Sequence, residues 1–462
     1  MRAPLRRRPI SQQIVALLSA VALLGYGVSV PPPATAGGPL AVGGTFGVSG
    51  VPFTWDISLG PIRYTTDTGT LGPLNNTQAN TLVQQMFQVW QDVPTSAISY
   101  MSDGPIRPNG HVATMADFNA VACPTSGPGS GQNPIVFDAD GSLFTLLGFP
   151  SGVIGFAGTG PASLSSAGRI KCGFVALNGS FLLGTPPRLS MDAFSAAFIH
   201  EFGHFSGLDH SQINVNCLTA PATCPDSSAD ASGLPTMFPI LLDQITEGGV
   251  PAQKTLAADD IAWISRLYPE TVTAPPGQVP FSTTHGTISG SVFFSDGITQ
   301  AQGVNVIARQ VGNPQRIAVS VVSGYLYTAN RGQAVTGNNL FGSAFGSRNP
   351  QFAGTFDIPV PVSPLPSYTL EVESILPGFT LGSSVGPLDP PIPTPGTTPP
   401  GPIGSPVIVV TVVAGSTVNQ NITLVGTPSR FDAFESATLY LTDPEPLWLR
   451  EESPLLADRE AA

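Results

Sequence analysis

His200-Glu201-Phe202-Gly203-His204-Phe205-Ser206-Gly207-Leu208-Asp209-His210 holds three of the five histidines in a chain of 462 residues. On a helix, His200 and His204 lie one turn apart and project from one face, so both imidazoles reach a single cation. Glu201 sits one residue round, close enough to touch a water on that cation without binding the ion itself. Gly207 permits a left-handed helix stop, which turns the chain and returns His210 as a third ligand. Three imidazoles leave the fourth position of a zinc ion open to water, the mark of a catalytic rather than a structural site. From this chain's composition the five fixed residues would arise by chance about once per million chains.

The helix itself is legible around the motif. Ser190 is placed to cap it, and Phe194, Phe198, Phe202 and Phe205 recur at helical spacing. Upstream, Trp55-Asp56-Ile57-Ser58 and Ile62-Arg63-Tyr64 read as the start of a sheet. Asn76 or Thr77 caps a helix whose apolar face is Leu82, Val83, Met86, Phe87 and Trp90. Downstream, Thr255 caps a third helix, with Asp259 and Asp260 suited to its positive end and Ile261, Ile264 and Tyr268 as its apolar stripe.

Composition sets the compartment and removes one class of partner. Charged residues are 10% of the chain, against about 25% on average, while 42% is hydrophobic, so cores can form. A net charge of −12 offers no basic surface for phosphates and argues against a nucleic-acid partner. Residues 1–36 read as a signal peptide: a basic start (Arg2, Arg6, Arg7, Arg8), the apolar run Ile14–Val30, a proline break and an Ala34-Thr35-Ala36 cleavage site. No later run is long enough to span a bilayer, so the mature chain is expected to be exported and free of the membrane. Cys123, Cys172, Cys217 and Cys224 suit that compartment. They allow three pairings; a short Cys217–Cys224 loop leaves Cys123–Cys172 as the partner pair. Oligomeric state is not legible.

Beyond residue 270 the texture changes. Thr271–Pro280 is a Pro/Gly linker. Short β-rich runs follow within 281–427, at Thr287–Phe294, Val304–Val311, Ala318–Val322, Thr355–Val362, Tyr368–Ile375, Val407–Val413 and Asn421–Val425, which suggests a sandwich. Residues 390–402 form a Pro-rich loop and 428–462 an acidic tail. The linker's composition implies two separable bodies.

The zinc motif, followed by Gly233-Leu234-Pro235-Thr236-Met237-Phe238-Pro239, resembles the metzincin signature with its methionine turn at Met237. Gly207-Leu208-Asp209-His210-Ser211, Leu256-Ala257-Ala258-Asp259-Asp260-Ile261 and Leu267-Tyr268 are similar to the matrixin branch, as are Trp55, Tyr64 and Ile98-Ser99-Tyr100. The resemblance covers residues 51–270. It implies an α+β fold with a twisted mixed sheet and three long helices, one catalytic zinc held by His200, His204 and His210, and Glu201 as general base. Gly152-Val153-Ile154-Gly155-Phe156-Ala157 resembles the edge strand onto which such enzymes draw an extended peptide, with Val153, Ile154 and Gly155 as its centre. Asp138-Ala139-Asp140-Gly141 resembles an acidic turn that binds Ca2+ in the family, and reads equally as an ordinary Asp-rich turn. The family's propeptide cysteine has no counterpart before Cys123. Its second, structural zinc lacks histidines here, since only His111 lies upstream of the motif. The β-rich half resembles a carboxypeptidase-regulatory or transthyretin-like sandwich.

The expected activity is that of a secreted zinc endopeptidase acting on protein or peptide substrates. The alternatives are a secreted adhesive protein that keeps zinc only for structure, and a zinc hydrolase of non-peptide amides.

Overall fold

A computed structural model describes residues 37–40, 42, 50–158, 168–211, 213, 233–271, 273–301, 304–326, 350–373 and 408–424. The signal segment, Cys217, Cys224, the Pro-rich loop and the acidic tail lie outside them. The architecture is α+β. In chain order the first half contains β1 (Thr54–Trp55), β2 (Ile62–Thr66), α1 (Asn76–Gln91), β3 (Tyr100–Pro105), α2 (Met115–Val121), β4 (Pro134–Asp138), α3 (Ser142–Leu146), β5 (Gly155–Gly158), β6 (Arg169–Ile170), β7 (Phe174–Asn178), α4 (Met191–Phe205), β8 (Thr246–Glu247), β9 (Val250–Pro251) and α5 (Ala258–Leu267). Its main sheet runs β3-β2-β4-β7-β5, parallel except for β5, which pairs antiparallel with β7 at the edge.

Capping explains the helix boundaries. Asn75, one residue before the expected cap, accepts from Gln78 N–H while the Gln78 side chain accepts from Asn75 N–H. That reciprocal box fixes the start of α1. Ser190 caps α4 as its position suggests, accepting from Ala193 N–H at 3.1 Å. Thr255 does not cap α5; it ends the preceding turn, and α5 begins after Ala257, whose N–H donates to the Asp260 carboxylate. α1 and α4 pack through stacked rings, Phe87 on Phe202 at 3.8 Å.

The second half forms two four-stranded sheets. β10 (His285–Phe293) is central to one, flanked by β13 (Thr355–Pro361) and by β16 (Thr417–Asn419) and β17 (Ile422–Thr423). The other runs β12 (Ala318–Val322), β11 (Asn305–Gln310), β14 (Ser367–Glu373), β15 (Ile408–Thr411). Alternating apolar residues such as Ile288, Ile358, Val306 and Leu370 are fully buried between them.

The two halves are joined by more than a linker. Trp263 of α5 is 3% exposed and donates through Nε1 to Ser320 O at 2.7 Å. Arg266 pairs with Asp357 at 3.1 Å, and Tyr325 bonds the same carboxylate. The linker composition implied separable bodies because it registers chain flexibility and not what the flanking surfaces bury. Here a tryptophan and a buried carboxylate of α5 are completed by β12.

Cys123 and Cys172 form a disulfide, with Cα atoms 5.6 Å apart. No helix among the described residues is long and apolar enough to cross a membrane.

Candidate metal centre

The helix bearing the motif is anchored at its C-terminal end, where carbonyls lack intrahelical partners. Trp55 Nε1 donates to Phe205 O at 2.7 Å and Tyr268 OH to Ser206 O at 2.6 Å. Tyr100 OH meets the Ser206 hydroxyl at 2.6 Å. Within the helix, Trp90 Nε1 also donates to Ile199 O at 2.9 Å. Gly207 follows with φ +92°, the left-handed turn that any side chain would resist, and the chain doubles back.

That turn brings the three histidines together. His204 Nε2 lies 3.1 Å from His210 Nε2, and His210 Nε2 lies 3.2 Å from His200 Nε2. His200 Nδ1 faces Thr236 O at 2.8 Å and His204 Nδ1 faces Leu208 O at 2.9 Å. A carbonyl only accepts, so these Nδ1 atoms carry the protons and the Nε2 atoms present lone pairs to one another. Converging lone pairs repel unless a cation lies between them. Zn–N bonds of about 2.0–2.1 Å on a tetrahedron place the nitrogens about 3.3 Å apart, close to the two spacings to His210, and all three ligand atoms lie within 4.8 Å of one another. Burial lowers the His200 pKa to about 4, and burial followed by its histidine neighbours lowers that of His204, which keeps the ligands neutral. Among the described residues this is the one cluster of three or more groups able to hold a metal ion.

Glu201 is buried beside the cluster, and its Oε2 has no hydrogen-bond partner. Desolvation pushes its pKa up to about 8. An orphaned carboxylate oxygen beside three convergent imidazoles fits a cation with a bound water. Its other neighbour is β5. A Cβ on Gly155 would lie 2.8 Å from Glu201 Cγ and 3.1 Å from Oε1. Gly155→Ala is therefore expected to displace Glu201 and, under the activity proposed below, to lower kcat by about 100-fold, the cost of a misplacement near 1 Å. Circular dichroism should be unchanged, and parental kcat would refute the contact's role.

The turn at Met237 packs against the helix that carries His200 and His204. Met237 is 2% exposed, and its sulfur lies where a Cβ on Gly203 would stand. Thr236 and Met237 N–H both donate to Asp260, at 2.8 and 3.0 Å, while Ser211 N–H donates to Met237 O at 2.8 Å. One carboxylate thus fixes the turn that orients His200 and receives the residue after His210.

The sequence placed Asp259 and Asp260 as complements to a helix dipole and within a stretch similar to the matrixin branch. Two adjacent acids at the start of a helix whose flanks are apolar were the available signal for a buried role. Asp260, with three backbone donors, rises to about 6, and Asp259, with fewer, to about 8; burial is the main cause of both shifts. A carboxyl raised on folding binds its proton more tightly when native, so stability falls as pH climbs toward the folded value. The neutral histidines act oppositely, but only below about 6.5. Metal-free protein should therefore lose thermal stability between about pH 6.5 and 8, with Glu201 acting in the same direction, and Asp259→Asn should reduce that slope without abolishing it. A melting temperature that rises across the window would contradict the assignment.

The remaining sequence candidates fall as follows. The edge strand spans 155–158, so Gly155 lies in it while Val153 and Ile154 precede it and line the adjoining cleft of about 350 Å3. Asp138 accepts from Asp140, Gly141 and Phe144 N–H, and Asp140 from Ser142 N–H. These bonds employ the carboxylates in holding the start of α3, as an ordinary Asp-rich turn would. His111 is half-exposed and bonds the buried Asp67 at 2.6 Å. Comparison with protein-family models and with curated proteins finds no match to this chain.

Proposed function

We propose that this chain is an exported zinc-dependent endopeptidase of matrixin-like, metzincin design. The observation that carries the reading is the convergence of three imidazole Nε2 atoms beside a buried carboxylate whose Oε2 lacks a partner. His200, His204 and His210 would hold the ion. When bound, zinc would polarise the scissile carbonyl and acidify the attacking water. Glu201 accepts the proton of that water at its free oxygen and hands it to the departing amine. Burial suits this work, because desolvation raises the proton affinity of the Glu201 carboxylate while a bound cation beside it would favour its charged form.

The cleft supports a peptide substrate over other amides. β5 ends its sheet among the described residues, so an extended chain can add to it by backbone pairing. The adjoining cleft is lined by Val153, Ile154, Ala196, Ala197, Ile240 and Leu241, which suits an apolar side chain. Profiling purified protein against a peptide library tests the reading directly. Cleavage at internal bonds beside large apolar residues is expected. A protein that binds zinc and peptides but cleaves none would favour the adhesive alternative.

A further inference from the structure

Strand β12 is the outer strand of its sheet, so half of its backbone groups point away from β11. At Ser320 those groups do not meet another strand. The N–H donates to Asp259 Oδ1 at 2.7 Å and the C=O accepts from Trp263 Nε1 at 2.7 Å. Two side chains of α5 thus occupy the place of a neighbouring strand. An exposed strand edge is a liability, and covering it explains part of this contact. It does not explain where the contact leads.

The hydroxyl of Ser211, which is fully buried and directly follows His210, also acts on the Asp259 carboxyl and favours its charged form. Ile213, two residues on, is buried against Ile307 and Ala318 of the β-rich half. A third link runs through the segment that begins at Gly37. Gly37 N–H donates to His210 O, Gly38 O accepts from Asp209 N–H at 3.0 Å, and Leu40 N–H donates to Gly207 O at 2.7 Å. A Cβ on Gly37 would strike the carbonyl of Ser320. The stretch carrying the third histidine is therefore bounded by β12, directly and through α5.

We propose that the β-sandwich is a positioning part of the metal centre: the outward backbone edge of Ser320, gripped by Asp259 and Trp263, fixes the Ser211 turn and so holds His210 in ligating position. The inference rests on reading the three histidines as a metal site. It gives the second half a role that a spacer or a substrate-docking module would not have. His200 and His204 share a rigid helix, whereas His210 lies beyond the Gly207 turn and depends on what packs behind it. Metal affinity depends on such supporting contacts, whose loss typically costs about 10–100-fold.

Ser320→Pro tests the link in the full chain. It deletes the N–H that Asp259 accepts, and proline is tolerated where an edge strand's N–H faces away from its partner. Metal-free protein is titrated with zinc against a competing chelator, and the absorption spectrum of the Co(II)-loaded protein reports ligand geometry. Ser320→Pro should lose at least about tenfold in zinc affinity and shift the Co(II) spectrum. Val372→Ala, a cavity in the sandwich core, should lower the melting temperature while leaving both readouts at parental values. Folded Ser320→Pro protein with parental zinc affinity would overturn the proposal. If that variant does not fold, Asp259→Ala decides in its place. A tenfold loss, recovered in Asp259→Asn, supports the link, and parental affinity overturns it. Neither readout involves peptide cleavage, so a chain that binds zinc and cleaves nothing defeats the peptidase reading alone.

Discussion

Glu201→Gln should reduce kcat for peptide cleavage by at least about 100-fold while the protein keeps its zinc. Glutamine matches glutamate in shape and helix propensity, so α4 and its packing persist. The three imidazoles are untouched and still converge. What disappears is a carboxylate with an unpartnered oxygen in the cleft, the one group there able to take a proton from water. Positioned bases contribute about 10²–10⁴-fold, equivalent to roughly 3–5.5 kcal/mol of barrier. KM should change little, since the edge strand and the apolar cleft remain. His204→Ala should behave differently and lose the metal, because it removes one of three ligands. Parental kcat in the glutamine variant would point to a contaminating protease or another base.

Asp260→Ala should produce the largest loss of stability among single changes near the site. Its carboxylate, 1% exposed, accepts from the N–H groups of Thr236, Met237 and Ala257 at 2.8, 3.0 and 2.8 Å. Alanine leaves all three donors buried without partners, at about 1–3 kcal/mol each. A loss of at least about 3 kcal/mol follows, or a drop in melting temperature of about 6–12 °C for a domain near 200 residues. Thr236 O also orients His200, so zinc affinity should fall in the same variant. Asp260→Asn retains one acceptor oxygen and should lie between the two. A parental melting temperature in the alanine variant would show that the turn stands without its carboxylate.

Sequence reading reached the histidine cluster because its pattern is local. His200, Glu201 and His204 are set by helical periodicity, and His210 by a glycine three residues after His204. Trp55 entered as part of a strand, Tyr268 as part of an apolar stripe and Tyr100 as a family likeness, and the structure gives each a physical task at the end of α4. The support of the site was less legible. Asp260, Thr236 and the carbonyl of Leu208 act through tertiary contacts that no spacing rule encodes. Thr255 lost the helix start because Asp260 supplies the cap from inside α5. The Pro/Gly linker suggested independence for the β-rich half, yet Trp263 and Ser320 join the halves through a buried bond across 57 positions. Local composition describes the linker's own backbone and carries no information about the surfaces it tethers.

Metal depletion and titration tests the central claim most directly. Protein stripped by a chelator should cleave no peptide, and activity should return in proportion to added zinc, saturating at about one ion per chain. Circular dichroism should hold throughout, since the helix that carries His200 and His204 is packed against α1 through Phe202 and Phe87. Cleavage that persists in metal-free protein, or that stays absent after one zinc is bound, would contradict the account.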